Sequence, residues 1–268
     1  MSSERDKPVV REFGAVNWLG LWTLYSKEVH RFLKIWIQAI AAPAMVSLLF
    51  LAVFSLVLGG SGRDVGTIPF LEFLAPGLIM MSVIQNSFQN ATSTLMISKM
   101  QGNIVDVLMP PLSPAELMLG IALGGATRGI VVAIVVGIVL YIFVPFSLHS
   151  VWPIAAFALL SAMALSVTGV IVGIWAYKFD DIATITNFIV TPLAFLSGTF
   201  YSVERLPSVF HTLSQINPFF YMIDGFRSGF IGQSDSSLAV ALAVLLGLNA
   251  VLWTTCYFLF ATGFKLKS

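Results

Sequence analysis

The chain has 268 residues, 57 % hydrophobic and 10 % charged, with a formal net charge of +1. One soluble core cannot hide that much apolar surface, so lipid is the solvent for much of the chain. The near-neutral total removes the electrostatic basis for a nucleic-acid partner, and the single cysteine, Cys256, rules out an intrachain disulfide and reads as a small packed hydrophobe.

Residues 1–34 read as a cytoplasmic N-terminal segment and residues 35–268 as a transmembrane domain. Within the first part, a helix plotted at about 100° per residue gathers Trp18, Leu21, Trp22, Tyr25, Val29, Phe32, Leu33 and Trp36 on one side. Lys27, His30, Arg31 and Lys34 fall on the other. This pattern predicts an amphipathic helix in the headgroup plane, its aromatic side down and its cationic side toward anionic membrane lipid or a docked protein.

Stretches of about 20 apolar residues cross the hydrocarbon core. Six qualify: 35–58, 73–97, 117–143, 151–177, 182–201 and 238–264. The fold class is therefore all-α integral membrane. Ten Lys and Arg residues in the N-terminal segment, the second and fourth loops and the tail oppose three, Arg63, Arg205 and Arg227, in the other loops. The positive-inside rule then puts both termini in the cytoplasm. Pro43 in the first span and Pro192 in the fifth each break a helical hydrogen bond and predict local kinks. Gly169 and Gly173 in the fourth permit close helix approach.

The second span carries a polar stripe, with Ser82, Gln85, Asn86, Gln89, Thr92 and Ser93 on one side and Ile84, Phe88, Ala91 and Leu95 opposite. Arg128 sits about 11 residues into the third span, ~16 Å deep. Unpaired, it would cost ~3 kcal/mol. No acidic residue matches its depth, but Asn86, Gln89 and Asn90 of the antiparallel second span do. The reading leaves open whether Arg128 locks two helices or touches a transported group.

Between the second and third spans runs the larger inner loop, KMQGNIVDVLMPPLSP, where Asp106 and Glu116 are available to a basic groove. Lys178, Asp180 and Asp181 form a smaller inner turn. The segment 202–237 alternates aromatic residues with Pro207, Pro218, Gly225 and Gly232. It predicts short re-entrant helices, or else an aromatic cap lying on the surface.

Enzyme chemistry finds no support. The three histidines are far apart, Asp180 and Asp181 are adjacent but need not share a pocket, and Glu72 and Asp224 are not brought together by sequence. No metal site is expected. The phosphate-cradling GxxxxGK[ST] is absent, so a nucleotide that drives transport must bind another chain.

Taken together, the amphipathic helix, six spans, LAPGLIMMSV at 74–83, NIVDVLMPPLSP in the inner loop, Arg128-Gly129, FDD at 179–181 and NPFFYMIDGFR at 217–227 give the chain its likeness. It resembles the membrane subunit of an ABC-2 type exporter of the small bacterial inner-membrane kind with a separate ATPase. The resemblance implies two permease copies in a homodimer, two ABC ATPase subunits holding ATP and Mg, and a pathway along the dimer interface. It also implies ATPase contacts from the N-terminal helix, here Arg31, and from the inner loop, here Asn103, Asp106 and Val107, with Asp180 and Asp181 beside them. Ser82, Asn86, Gln89, Ser93 and Arg128 are the expected pathway residues, closed outside by Phe219, Phe220 and Tyr221. A lining without fixed charge suits an amphipathic, lipid-like or glycan-linked solute. The alternative is a secondary transporter or channel working without an ATPase, which should show intramembrane carboxylates or inverted repeats. Neither is visible.

Overall fold

A computed structural model of the chain describes residues 14, 16–58, 68–203 and 207–265. Arg5, Lys7, Arg11, Arg63, Arg205 and Lys267, which entered the charge count, lie outside the described residues. Among those described, six helical stretches are long and apolar enough to cross a membrane: Ile37–Val57, Phe70–Met100, Pro114–Phe143, Val151–Trp175, Phe179–Leu196 and Leu238–Thr262. No strand forms among them.

The N-terminal helix α1, Trp18–Lys34, precedes a first span made of a π-helical turn, Ile37–Ala41, and α2, Ala42–Leu58. The second span is α3, Phe70–Met100, followed by a short α4, Ile104–Leu108, in the inner loop. Spans three and four are α5, Pro114–Phe143, and α6, Val151–Trp175. The fifth is α7, Phe179–Ile185, a second π turn, Thr186–Val190, and α8, Thr191–Leu196. Then come α9, Ser208–Ile216, α10, Pro218–Ile231, and the sixth span α11, Leu238–Thr262.

The expected kinks at Pro43 and Pro192 take a specific form. A proline has no N–H for the carbonyl four residues back, and in both spans a five-residue π turn ends just before it. The Ala42 N–H bonds the Ile37 carbonyl and the Thr191 N–H bonds the Thr186 carbonyl, each five residues back. Two expected boundaries shift. The second span extends at both ends from 73–97 because Pro69 seeds its first turn and polar Ser98 and Lys99 stay helical. The fifth starts at Phe179, so FDD is its opening turn, not a free loop. It stops at Leu196, where Ser197 bonds back to the Leu193 carbonyl and Gly198 turns to φ +77.

The hub is α3, with 78 % of its most apolar window buried, against 17 %, 11 % and 17 % for the first, fifth and sixth spans. It packs on α6 and α5. At Gly169 of α6 an added Cβ would stand 2.5 Å from the Phe88 carbonyl oxygen of α3, so glycine is what allows this approach. α10 is inserted among α3, α6 and α11, with Phe219, Phe220, Met222, Ile223, Phe226 and Phe230 all buried. It is not a cap lying on the surface.

Candidate functional site: a polar groove and its cytoplasmic-loop attachments

The polar stripe of α3 is divided between two tasks. Its upper part opens into a groove of about 370 Å³ beside the first span, where Ser82, Gln85, Asn86 and Gln89 face Gln38 and Ser47, with Phe195 of the fifth span at one end. Asn86 is held at both ends of its amide. Its Nδ2 donates to the Ser82 carbonyl (3.0 Å), and its Oδ1 accepts from Arg128 Nη2 (3.1 Å). Ser82 Oγ in turn donates to the Ile79 carbonyl (2.6 Å). Gln89 is exposed and Gln85 half-buried, so both present their amides to the groove. Arg128 is buried beside Asn86 and bonds to it, not to Gln89 or Asn90. Its Nε has no hydrogen-bond partner among the described residues. Gln38 and Ser47 went unnoticed in sequence, though they are polar residues in an otherwise apolar first span.

The lower part of the stripe ties α1 into the bundle. Glu28 is 1 % exposed. Its Oε2 accepts from Arg31 Nη2 (3.0 Å) and Thr94 Oγ1 (2.6 Å). Arg31 also donates to the Asn90 carbonyl (2.9 Å), Asn90 Oδ1 (3.0 Å), Ser93 Oγ (3.2 Å) and Thr94 Oγ1 (2.5 Å). Ser93 therefore sits with Arg31, not in the groove. The close fit needs Gly124 of α5, where a Cβ would meet Glu28 Cβ at 2.4 Å. So α1 has three sides. Leu21, Leu24, Glu28 and Phe32 pack on the bundle, Trp18, Trp22 and Trp36 stay exposed, and Lys27, His30 and Lys34 form the remaining polar side.

At the same end, the inner loop is anchored by Ile104 and Val107, which bury beside Leu24, Leu117 and Ile121. Val107 points inward while Asn103 and Asp106 stay exposed. A groove of about 350 Å³ runs between α1 and this loop, with Asp106 and Lys27 both on it. Glu116 is not available to a partner, contrary to expectation. Its Oε2 accepts the Ser113 N–H (2.6 Å) in a capping box at the start of α5, and its Oε1 accepts the Asn17 N–H (2.5 Å) at the start of α1. Those backbone bonds hold the carboxylate as the anion. Glu116→Ala is expected to cost roughly 1–2 kcal/mol, the scale of a lost N-cap, read as a lower melting temperature than for Asp106→Ala, which should lie near wild type.

Asp181 caps its own helix, accepting the Tyr177 (2.9 Å) and Lys178 (3.1 Å) N–H groups, while Asp180 is exposed. Nearby, Lys99 of α3 donates to the Ile174 and Ala176 carbonyls, and Lys265 to the Trp175 carbonyl (3.3 Å). Two lysines thus satisfy the carbonyl end of α6, where the helix dipole favours cations.

Phe219, Phe220 and Tyr221 lie apart from the α3 groove. Phe219 is in the core, while Phe220 and Tyr221 border another pocket of about 310 Å³ with Asp235 and Ser236. The aromatic residues that do reach the groove are Phe50 and Phe195. Asp224 is occupied by the following turn, accepting from Ser234 Oγ, the Asp235 N–H, and the Ser236 N–H and Oγ. Arg227 stacks 3.7 Å over the Phe73 ring and donates to the Gly198 carbonyl (2.7 Å). No group of three metal-ligating side chains occurs among the described residues.

Comparison with known proteins points the same way. The family described as ABC-2 type transporter matches residues 20–231. The chain is 37 % identical over 252 residues to the inner membrane transport permease YadH of Escherichia coli (strain K12), covering 94 % of this chain and 98 % of that one. It is 25 % identical over 250 residues to nodulation protein J of Rhizobium leguminosarum bv. viciae, covering 87 % and 89 %. Nodulation protein J of Sinorhizobium fredii (strain NBRC 101917 / NGR234) matches at 25 % over 238 residues, covering 85 % and 87 %. With the six apolar spans and a family match across most of its length, the chain belongs to the ABC-2 type transporter family, as a multi-pass membrane permease that partners with an ABC ATPase.

Proposed function

We propose that the chain is the permease half of an ATP-driven exporter in a bacterial inner membrane, with both termini in the cytoplasm. It moves an amphipathic, lipid-like or glycan-linked solute outward between two identical copies, powered by two ATPase subunits. The observation that carries this reading is the position of the polar groove. Ser82, Gln85, Asn86 and Gln89 open beside the first span, and the first and fifth spans are covered over only 17 % and 11 % of their residues. A second copy laid on those two spans would close the groove into a shared channel lined by uncharged hydrogen-bond partners. Arg128 orients Asn86 at its wall, and Phe195 narrows one end. Phe219, Phe220 and Tyr221, within and beside the inserted α10, stiffen the outer side.

The ATPase docks on the groove between α1 and the inner loop. Asp106 faces it, exposed Asn103 lies three residues before, and Val107 fixes the loop to the core so that a push on α4 reaches α5. Asp180 adds a second contact at the start of the fifth span, with Asp181 capping that turn. Arg31 passes the movement of α1 to α3 through Asn90. ATP and Mg stay on the partner.

Two measurements test this. Deleting residues 103–108 should abolish co-purification of the ATPase, while the wild-type pair co-purifies stoichiometrically; association that survives the deletion overturns the docking assignment. In a Cys256→Ser background, Leu49→Cys or Phe188→Cys, both exposed on the first and fifth spans, should give oxidised dimers in membranes. A chain that stays monomeric at both positions removes the shared channel.

A further inference from the structure

A second cavity lies away from the groove. It is a cleft of about 680 Å³ walled by α5, α6 and α10 and lined only by apolar side chains and Tyr141, among them Ile134, Ile138, Ala155, Leu159 and Phe230. Ile134, Ile138 and Leu159 are each more than half exposed. That volume falls in the range of small-molecule sites, about 300–1,000 Å³. It adjoins a smaller pocket of about 100 Å³ through two shared residues, Phe146 and Phe230, whose rings meet edge to face at 5.3 Å. The smaller pocket carries Glu72 and Ser147.

Glu72 is half-buried and has no hydrogen bond or ion pair among the described residues. A carboxylate against Ile68, Phe146 and Ile231 calls for a cation, and among the described residues neither pocket has a basic side chain on its wall. Arg227, a described arginine of this region, is already engaged by Phe73 and Gly198. The described residues therefore leave the counter-charge to what fills the cleft.

We propose that this cleft binds a membrane phospholipid with a primary-amine headgroup, its acyl chain along α5 and α6 and its ammonium group on Glu72. The occupant combines a long apolar body with a cation at one end, which matches an apolar cleft that ends at a carboxylate. A second copy of the chain fits less well. The barest spans are the first, fifth and sixth, whereas this site is a concavity within one subunit. The site does not depend on the direction of transport or on the ATPase.

The full-length chain is titrated in detergent with palmitoyl-oleoyl phosphatidylethanolamine or phosphatidylglycerol, and retained lipid is read by native mass spectrometry. The wild type should keep one phosphatidylethanolamine with roughly fivefold preference, the scale of one partly exposed ion pair. Glu72→Gln should erase the preference yet still retain lipid. Ala155→Phe, at an exposed wall position, should cut retention of both lipids. Gly137→Leu serves as a second filling variant, because a Cβ there meets only Ile79 Cδ1 at 3.6 Å. Equal retention of the two lipids by the wild type, or a preference that survives Glu72→Gln, overturns the headgroup assignment. Undiminished retention in both filling variants overturns the cleft, as does a dimer that forms without lipid and is lost on filling it. Melting temperatures identify any filling variant that fails to fold, and Glu72→Gln then decides alone.

Discussion

Glu28→Ala is expected to be among the most damaging single substitutions in this chain, lowering stability by roughly 2 kcal/mol, because it removes the buried partner of an ion pair whose Arg31 is only partly covered. Arg31 would keep its bonds to Asn90, Ser93 and Thr94 but face them without a counter-ion, and the Thr94 hydroxyl would keep only the longer of its two acceptors, the Asn90 carbonyl. Thermal unfolding of the purified protein reads the loss. Glu28→Gln keeps an oxygen for Thr94 and should lose less, and Lys27→Ala, one residue away on the exposed side, should stay within ~0.5 kcal/mol of wild type. Equal melting temperatures for Glu28→Ala and Lys27→Ala would show that the seam does not hold α1. In transport assays a weakened seam should also separate ATP hydrolysis from solute movement, since α1 would shift without carrying α3.

Asn86→Leu is the second large effect. It takes away the only hydrogen-bonded side chain on the buried Arg128 guanidinium among the described residues, and a loss of ~2–3 kcal/mol follows from leaving an arginine unpaired at this depth. Arg128→Met alone leaves an amide oxygen unpaired and should cost less, ~1–2 kcal/mol. The double variant Asn86→Leu/Arg128→Met should recover much of the single losses, as apolar replacements of buried polar pairs do. Thermal unfolding of all four proteins closes the cycle. Transport then decides what the pair is for. A double variant that is stable but moves no solute assigns Asn86 and Arg128 to the pathway, and one that is stable and active assigns them to helix locking.

The six spans were legible because each is a run of apolar residues as long as a bilayer is thick, and that signal needs no knowledge of neighbours. The match of Arg128 with Asn86 was legible too, because antiparallel spans of known start fix relative depth. What escaped was the seam. The sequence reading gave α1 two environments, lipid and water, and placed Arg31 in the cationic row. The helix has three, and the clue was Glu28, an acid that projects at about 100° per residue among Leu21, Leu24 and Phe32. An acid inside an apolar arc with an arginine three residues on marks a face that packs against protein. Glu116 was misjudged as a free charge, and the cap made by Asp181 was not foreseen, for a related reason. Their partners are backbone N–H groups at helix starts, and only the fold brings the Asn17 N–H, 99 residues away in sequence, to Glu116.

The π turns ahead of Pro43 and Pro192 each hold one residue more than an α-helical turn would. One extra residue rotates everything beyond it by about 100° around the helix axis, so neither the first nor the fifth span keeps a single stripe from end to end. A strip chart of either sequence drawn with uniform phase would therefore pair the wrong residues with a neighbour on one half of the bilayer.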